Sequence, residues 1–311
     1  MAAQHEAVMI LGPTASGKTA LALEIARHFP VEIISIDSAL VYRHMDIGTA
    51  KPTKEELASV PHHLIDIIEP TESYSAADFA SDCVRLTQEI RARRRVPLIV
   101  GGTMLYAKAI REGLSPLPST DPAVREKVSR MLETEGLPEL YERLKHIDPK
   151  TAERLAPADK QRITRAIEVF EMTGRTISSF TEQKGTPLLH PITFALLPPD
   201  RAALHAKIAL RFEQMISNGF LNEVKELMEL PRMHPNLPSM RSVGYRQAWE
   251  YLAGSTTFGE FKEAAIAATR QLAKRQMTWM RSMKETEILN PEDPSSAIRL
   301  LEATKSILSG L

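Results

Sequence analysis

The sequence has one cysteine, Cys83, in 311 residues. A single thiol excludes a disulfide within the chain and any zinc site built from several cysteines. It fits a reducing compartment, so the cytoplasm is the expected location. Long apolar runs are missing too: nothing approaches the roughly 18 residues of a membrane span. The opening MAAQHEA leads straight into an apolar strand, so neither an anchor nor a secretion signal is expected. Net charge is lacking as well. The 39 basic and 39 acidic residues cancel, so a nucleic-acid surface would have to come from local patches rather than a global field. Nine histidines occur without metal-ligand spacing, and His62 and His63 after Pro61 are expected to pack or cap. Repeats and low-complexity segments are absent. With 43% hydrophobic residues the chain can bury a sizeable core, as one large domain or two smaller ones.

What is present begins with VMILGPTASGKT, residues 8–19. The apolar run Val8 to Leu11 reads as a buried strand, and the apolar residues from Ala20 to Phe29 repeat at helical spacing. Gly12, Pro13, Thr14, Ala15, Ser16, Gly17, Lys18 and Thr19 therefore sit at a strand-to-helix turn, which is the context a phosphate-binding loop requires. The glycines let backbone N–H groups converge on an anion, and the new helix offers its positive end. Lys18 adds a point charge, and the Thr19 hydroxyl suits Mg²⁺. Two linked phosphates would fit, whether they belong to a nucleoside triphosphate or to a prenyl diphosphate.

A second strand-like run, Val31 to Ile36, ends in Asp37 and Ser38. Ligands of open α/β sheets bind beyond the carboxyl ends of strands, which places Asp37 near the cradle if the two strands share a parallel sheet. Capping of the next helix is the alternative. Tyr74 to Arg95 reads as a helix whose arginine cluster, Arg91 to Arg95, forms a solvated end. The third strand, Val96 to Gly101, runs into Gly102 and Thr103 and carries no terminal acid, whereas a P-loop kinase or NTPase would hold Mg²⁺ through one. The glycine pair admits another backbone or a flat base, or makes a simple tight turn.

From Pro116 to about His190 the pattern turns helical. Asp121-Pro122 and Asp148-Pro149 read as helix starts, and Gly136 and Gly174 as helix ends. Strand character returns at His190 to Pro198. The fold class is thus α/β, a P-loop NTPase-like core with a parallel sheet flanked by helices, interrupted by an all-helical insertion. The expected divisions are 1–117 and 191–311 for the core and 118–190 for the insertion. Within the insertion, Ile163, Ala166, Ile167 and Phe170 make an apolar face and leave Gln161, Arg162 and Arg165 more exposed, for phosphate or for solvent. Arg201 to Leu230 reads as one long helical segment. Pro238 to Arg246 is a loop with two arginines, a tyrosine and a glycine, chemistry that RNA-binding loops use. In the last long helix, Phe261 to about Lys284, Arg270, Lys274, Arg281 and Lys284 share one stripe. Phe261, Ala265, Ala268, Leu272, Trp279 and Met283 lie opposite. No acid interrupts the cationic stripe, so it suits a polyanion or simple solvation.

Taken together, GPTASGKT at 12–19, DS and YRHMDIGTAKP within 37–52, PHHLID at 61–66, YSAADF at 74–79, GGTMLY at 101–106, QRITRA at 161–166, RSVGYRQAW at 241–249 and ATRQLAKRQMTWMR at 268–281 closely resemble the tRNA dimethylallyltransferases. The resemblance covers nearly the whole chain. It implies transfer of a dimethylallyl group from dimethylallyl diphosphate to N6 of the adenosine 3′ of the anticodon, with Mg²⁺ as cofactor. Diphosphate binding is implied at Gly12 to Thr19, with Mg²⁺ at Thr19, Asp37 as the base, and Arg211 meeting the leaving group. Contacts to a tRNA anticodon stem-loop are implied at Asp37, Ser38, Ala39 and Leu40, at Thr103 and Arg125, and at Gln161, Arg162, Ile163, Thr164 and Arg165. The same holds for Arg241, Ser242, Val243, Gly244, Tyr245 and Arg246. Many members carry glutamine where this chain has Leu40, whose side chain has no hydrogen bond to offer RNA. A monomer with no membrane partner is expected. A prenyltransferase of free adenine nucleotides, a P-loop kinase or NTPase, and a non-enzymatic RNA-binding module are the competing readings.

Overall fold

Every residue of Val8–Leu11, Val31–Ile36 and Val96–Gly101 is buried. Strands covered on both faces belong to a parallel sheet with helices on either side. The computed structural model, which describes residues 5–182 and 185–311, has that architecture. The reading of the opening segment falls partly on residues 1–4 and lies outside the described residues.

The chain runs β1 (Val8–Leu11), α1 (Lys18–His28), β2 (Val31–Ile36), α2 (Lys54–Ser59), β3 (His62–His63), α3 (Ala76–Ala92), β4 (Val96–Gly101) and α4 (Met104–Arg111). Five helices follow: α5 (Pro122–Glu135), α6 (Leu137–Ile147), α7 (Pro149–Ala152), α8 (Lys160–Thr173) and α9 (Ile177–Thr181). The chain then continues through β5 (Ile192–Leu196), α10 (Arg201–Ser217), α11 (Phe220–Glu229), α12 (Tyr245–Leu252), α13 (Phe258–Ser282), β6 (Thr286–Leu289) and α14 (Pro294–Ser309). Two compact units result, Met1–Arg111 with Leu188–Leu311, and Glu112–Pro187.

In the first unit the strand order is β3-β2-β4-β1-β5-β6, and every pairing is parallel. Alternate residues Val8 and Ile10, Val31 and Ile33, Leu98 and Val100, and Phe194 and Leu196 share one apolar cluster with Ala22 and Ile25 of α1 and Leu300 and Ile307 of α14. The α3 helix lies against β2 and β4. A second cluster joins Val41, Tyr42 and Met45 to the apolar faces of α10, α11, α12 and α13. No described helix is long and apolar enough to cross a membrane.

Several elements differ from the sequence expectation, each for a local reason. The α3 helix starts at Ala76 because Ser75 and Asp78 close a capping box. Its arginine cluster is more than a solvated end. Glu32 is buried in β2, and Arg93 meets it with Nε and Nη2 at 3.0 and 2.8 Å, Arg95 at 3.4 Å, and His63 at 2.7 Å. Burial alone would raise the Glu32 carboxyl, but hydrogen bonds from Arg93 and His63 outweigh it and leave the pKa below the ordinary value. The segment Arg201 to Leu230 is two helices, parted at Gly219 with φ 97°.

The α13 helix begins at Phe258, after a Thr257 and Glu260 capping box, and ends at Ser282. Its buried residues are Phe261, Ala265, Ala273, Met277 and Met280, whereas Trp279 is 41% exposed. The helix packs on α10, α12 and α4. Phe261 and Ala265 sit in the cluster shared with α10 and α12, and Ala273, Met277 and Met280 continue the seam at shifted helical phase, so the buried face drifts along the helix. Lys274, Arg281 and Lys284 are exposed, but Arg270 is half-buried, with its Nε enclosed and unpaired.

The second unit has its own core of Val128, Leu140, Leu144, Ile163, Ala166 and Ile167. Asp121 and Asp148 cap α5 and α7 ahead of their prolines, and Gly174 ends α8 in the left-handed region.

Candidate active site

Register fixes the site. Leu11 pairs with Gly101, and Ile36 pairs with Gly101 on the other side, so β2, β4 and β1 end level with one another. Their next residues, Asp37, Gly102 and Gly12, therefore share one edge of the sheet. Two strand spacings, about 10 Å, separate the Asp37 and Gly12 positions, a gap that long side chains bridge. The turn after β4 is stitched to both neighbours: the Gly102 and Thr103 amides donate to the Ile36 carbonyl at 3.1 Å each, and the Gly12 amide donates to the Gly101 carbonyl at 3.1 Å.

The loop from Gly12 to Gly17 leads into α1 with Gly17 as a cap that offers no side-chain acceptor. The first N–H groups of α1 are thus left for an anion. Ser16 is buried, and its Oγ has no hydrogen-bond partner, a second unsatisfied donor in the same loop. Lys18 Nζ donates to the Pro13 carbonyl at 3.2 Å. Burial pulls its pKa down to about 8; Asp37 pushes in the opposite direction, and Arg211 adds to the depression. Arg211, on α10, is likewise depressed by burial and supported by Asp37. Two desolvated cations and one carboxylate therefore converge, with more positive than negative charge among these three groups, and an anion would relieve the imbalance.

Asp37 Oδ1 accepts the Ala39 amide at 2.8 Å. This is a local turn rather than a helix cap, since the next helix, α2, is capped by Thr53, and the carboxylate keeps further acceptor capacity. Thr103 Oγ1 accepts the Ser38 amide at 3.0 Å and fixes the start of this loop to the end of β4. The glycines of that turn serve close backbone approach. A Cβ on Gly101 would fall on the Ile36 carbonyl, and one on Gly102 would lie 2.5 Å from Gln276 Nε2 and 2.9 Å from the Gly12 oxygen.

Gln276 is a site residue that sequence reasoning missed. Its Oε1 accepts from the Thr14 amide at 3.3 Å and its Nε2 donates to the Gly102 carbonyl at 2.8 Å, so α13 clasps the phosphate loop and the β4 turn together. The only available signal was its place three residues before Trp279 in an otherwise cationic run.

The residues implied in RNA contact fall in both units. In the first, Ser38, Arg241 and Arg246 are exposed, and Ala39, Leu40, Ser242 and Val243 are half-buried. Gly244 and Tyr245 are buried, Tyr245 completely. In the second unit Arg125, Gln161 and Arg162 are exposed, and Arg162 pairs with Asp159 at 2.8 Å. Thr164 bonds back to its own helix. Arg165 is engaged internally, with Thr120 Oγ1 at 2.7 Å and the Pro118 carbonyl at 2.6 Å. Ile163 is wholly buried in the unit's core, so neither its side chain nor that of Tyr245 is available to a ligand.

A Mg²⁺ ion would find Thr19 in the first turn of α1 and the Asp37 carboxylate on the same edge of the sheet. No described group of three or more His, Cys, Asp or Glu side chains could hold a metal. Such sparse oxygen donors suit a hard cation that shares its shell with substrate phosphates.

The family model described as IPP transferase matches residues 40–283. The tRNA dimethylallyltransferase of Paraburkholderia xenovorans strain LB400 is 52% identical over 304 residues, covering 96% of each chain. That of Burkholderia cenocepacia strain HI2424 is 51% identical over 306 residues, covering 97% of this chain and 94% of its own. Among solved structures, the tRNA isopentenylpyrophosphate transferase of Bacillus halodurans superposes with a TM-score of 0.71 at 33% identity, over 99% of this chain and 97% of that one. A eukaryotic dimethylallyltransferase acting on tRNA superposes with a TM-score of 0.80 at 25% identity, over 98% of this chain and 79% of that one. With its phosphate loop, its strand-end aspartate and these relatives, the chain belongs to the tRNA dimethylallyltransferase family.

Proposed function

We propose that this enzyme transfers a dimethylallyl group from dimethylallyl diphosphate to N6 of the adenosine 3′-adjacent to the anticodon of tRNA, releasing diphosphate. The observation that carries the reading is that the buried cations Lys18 and Arg211 both interact electrostatically with Asp37, which follows β2 at the edge of the sheet where Gly12 follows β1. An allylic diphosphate ionises readily once its leaving group is neutralised. The loop amides, Lys18 and Arg211 are built to hold that growing charge with little reorganisation. Mg²⁺ bound at Thr19 would supply further neutralisation of the diphosphate.

Adenine N6 is a weak nucleophile because its lone pair is delocalised into the ring. Its protons become acidic as the new C–N bond forms, and the Asp37 carboxylate accepts one. Thr103 and the Ala39 amide hold that carboxylate's loop in place. The absence of a terminal acid on β4 fits the same scheme, since its turn brings backbone and Gln276 to the loop rather than a metal ligand. The target base must leave its stack, at a cost of a few kcal/mol that RNA contacts offset. Exposed Arg125, Gln161, Arg162, Arg241 and Arg246 are suited to those contacts.

Competition between an anticodon stem-loop and AMP as acceptors tests the reading. Modification of the stem-loop with AMP inert is the expected result. Equal efficiency on both would move the assignment to a free-nucleotide prenyltransferase.

A further inference from the structure

Tyr245 poses a question: it opens α12 within the Arg241 to Arg246 segment, yet its ring is completely buried. Its hydroxyl donates to Glu223 Oε1 at 2.6 Å. The same carboxylate takes three successive backbone amides from a distant loop. Gly48 donates to Oε1 at 3.1 Å, and Asp46 and Ile47 donate to Oε2 at 2.8 and 2.7 Å. Four donors thus converge on one side chain, two on each oxygen, which is a well-matched arrangement for a carboxylate acting as acceptor only.

The packing around it leaves no slack. Phe220 and Tyr245 meet edge to face at 5.1 Å. Gly48 lies flat against both rings, and a Cβ there would strike them. The loop so held is the continuation of Asp37 to Leu40. It is fastened again where the Asp66 and Ile67 amides donate to the Leu40 and Val41 carbonyls, and where Lys51 donates to the Tyr42 carbonyl and to Asp46 and Asp66. Residues 40–51 are therefore tied together by hydrogen bonds, and Glu223 is the joint between that segment and the start of α12.

We propose that Glu223 is a positioning residue for RNA: its carboxylate locks the Asp37 loop to the Arg241 to Arg246 segment at the start of α12, so that both meet the anticodon arm as one preset surface. This rests on the RNA reading above. Preset geometry lowers the ordering cost of binding, so loosening the joint should weaken RNA and spare a ligand held by the phosphate loop.

Glu223→Gln replaces one acceptor oxygen with an amide donor and strips two of the four donors of their partner. Tyr245→Phe removes only the hydroxyl and is the milder variant. Binding of an anticodon stem-loop and of dimethylallyl diphosphate is to be measured separately, at a temperature where melting curves show each variant folded. The expected result is a loss of stem-loop affinity of about ten-fold or more for Glu223→Gln and about three-fold for Tyr245→Phe, with diphosphate affinity changed by less than about two-fold. Should Glu223→Gln fail to fold, Tyr245→Phe decides alone. A folded variant with a lowered melting temperature but unchanged stem-loop affinity makes Glu223 a purely structural brace and overturns the proposal. Equal losses for both ligands overturn it as well. Wild-type enzyme that ignores the stem-loop would instead remove the RNA reading beneath it.

Discussion

Thr103 Oγ1 accepts the Ser38 amide proton at 3.0 Å, which fastens the residue following Asp37 to the end of β4. Thr103→Val keeps the shape and deletes the acceptor. It should lower the rate of the chemical step by about five- to thirty-fold, because a base displaced by a fraction of an ångström loses alignment. Thr103→Ser, which retains the hydroxyl, should recover most of that loss. Single-turnover rates at saturating substrates check this, and a Val variant at wild-type speed would show that the bond does not hold Asp37 in place.

Lys18→Ala should remove most affinity for dimethylallyl diphosphate while leaving stem-loop binding nearly intact. Titration of the two ligands one at a time separates these effects, and undiminished diphosphate binding would reject the cradle.

The depressed Lys18 pKa has a consequence with a definite sign. In the free enzyme the amine is charged below about pH 8 and neutral above it. Diphosphate affinity should therefore decline as pH rises through that value, and the decline should vanish in Lys18→Ala. Binding that stays level to pH 10 in the wild type would contradict the assignment of that titration to Lys18.

Glu32 gives a stability prediction. Its carboxyl, burdened by burial yet held down by Arg93 and His63, ends below its ordinary value in the folded state. The associated stability is present above the unfolded pKa and is lost as pH falls through the lower folded one. Glu32→Gln should cost about 1–3 kcal/mol near neutrality, with the half-exposed arginines relieved by water. Its melting temperature should also fall less steeply on acidification than that of the wild type. Parallel pH profiles for the two proteins would exclude this role.

What could be read from the sequence was local. The phosphate loop is contiguous, and Asp37 was found because a strand end in a parallel sheet is a known place for ligands. The helix starts at Asp121 and Asp148 followed from cap and proline chemistry within a few residues. Contacts made at a distance were illegible. Gln276 reaches Thr14 across 262 positions, and Glu223 collects amides from residues 46–48, some 175 to 177 positions away. Neither residue stands out in its own segment. The arginines after α3 looked solvated because nothing in the apolar run of β2 announced that Glu32 would be buried beneath them. An ideal helical phase puts Trp279 on the apolar side of α13, opposite the cationic stripe, but the buried face drifts along the helix and leaves it exposed.

The most direct measurement is product analysis of a single turnover: an anticodon stem-loop, dimethylallyl diphosphate and Mg²⁺ with excess enzyme, followed by intact mass and nucleoside analysis. Wild-type enzyme should add one C5H8 unit, on the adenosine 3′ of the anticodon. Asp37→Ala, folded and still binding both substrates, should do so about 10²–10⁴-fold more slowly. An unmodified stem-loop, or an Asp37→Ala rate within a few-fold of wild type, would contradict transfer to RNA by this site.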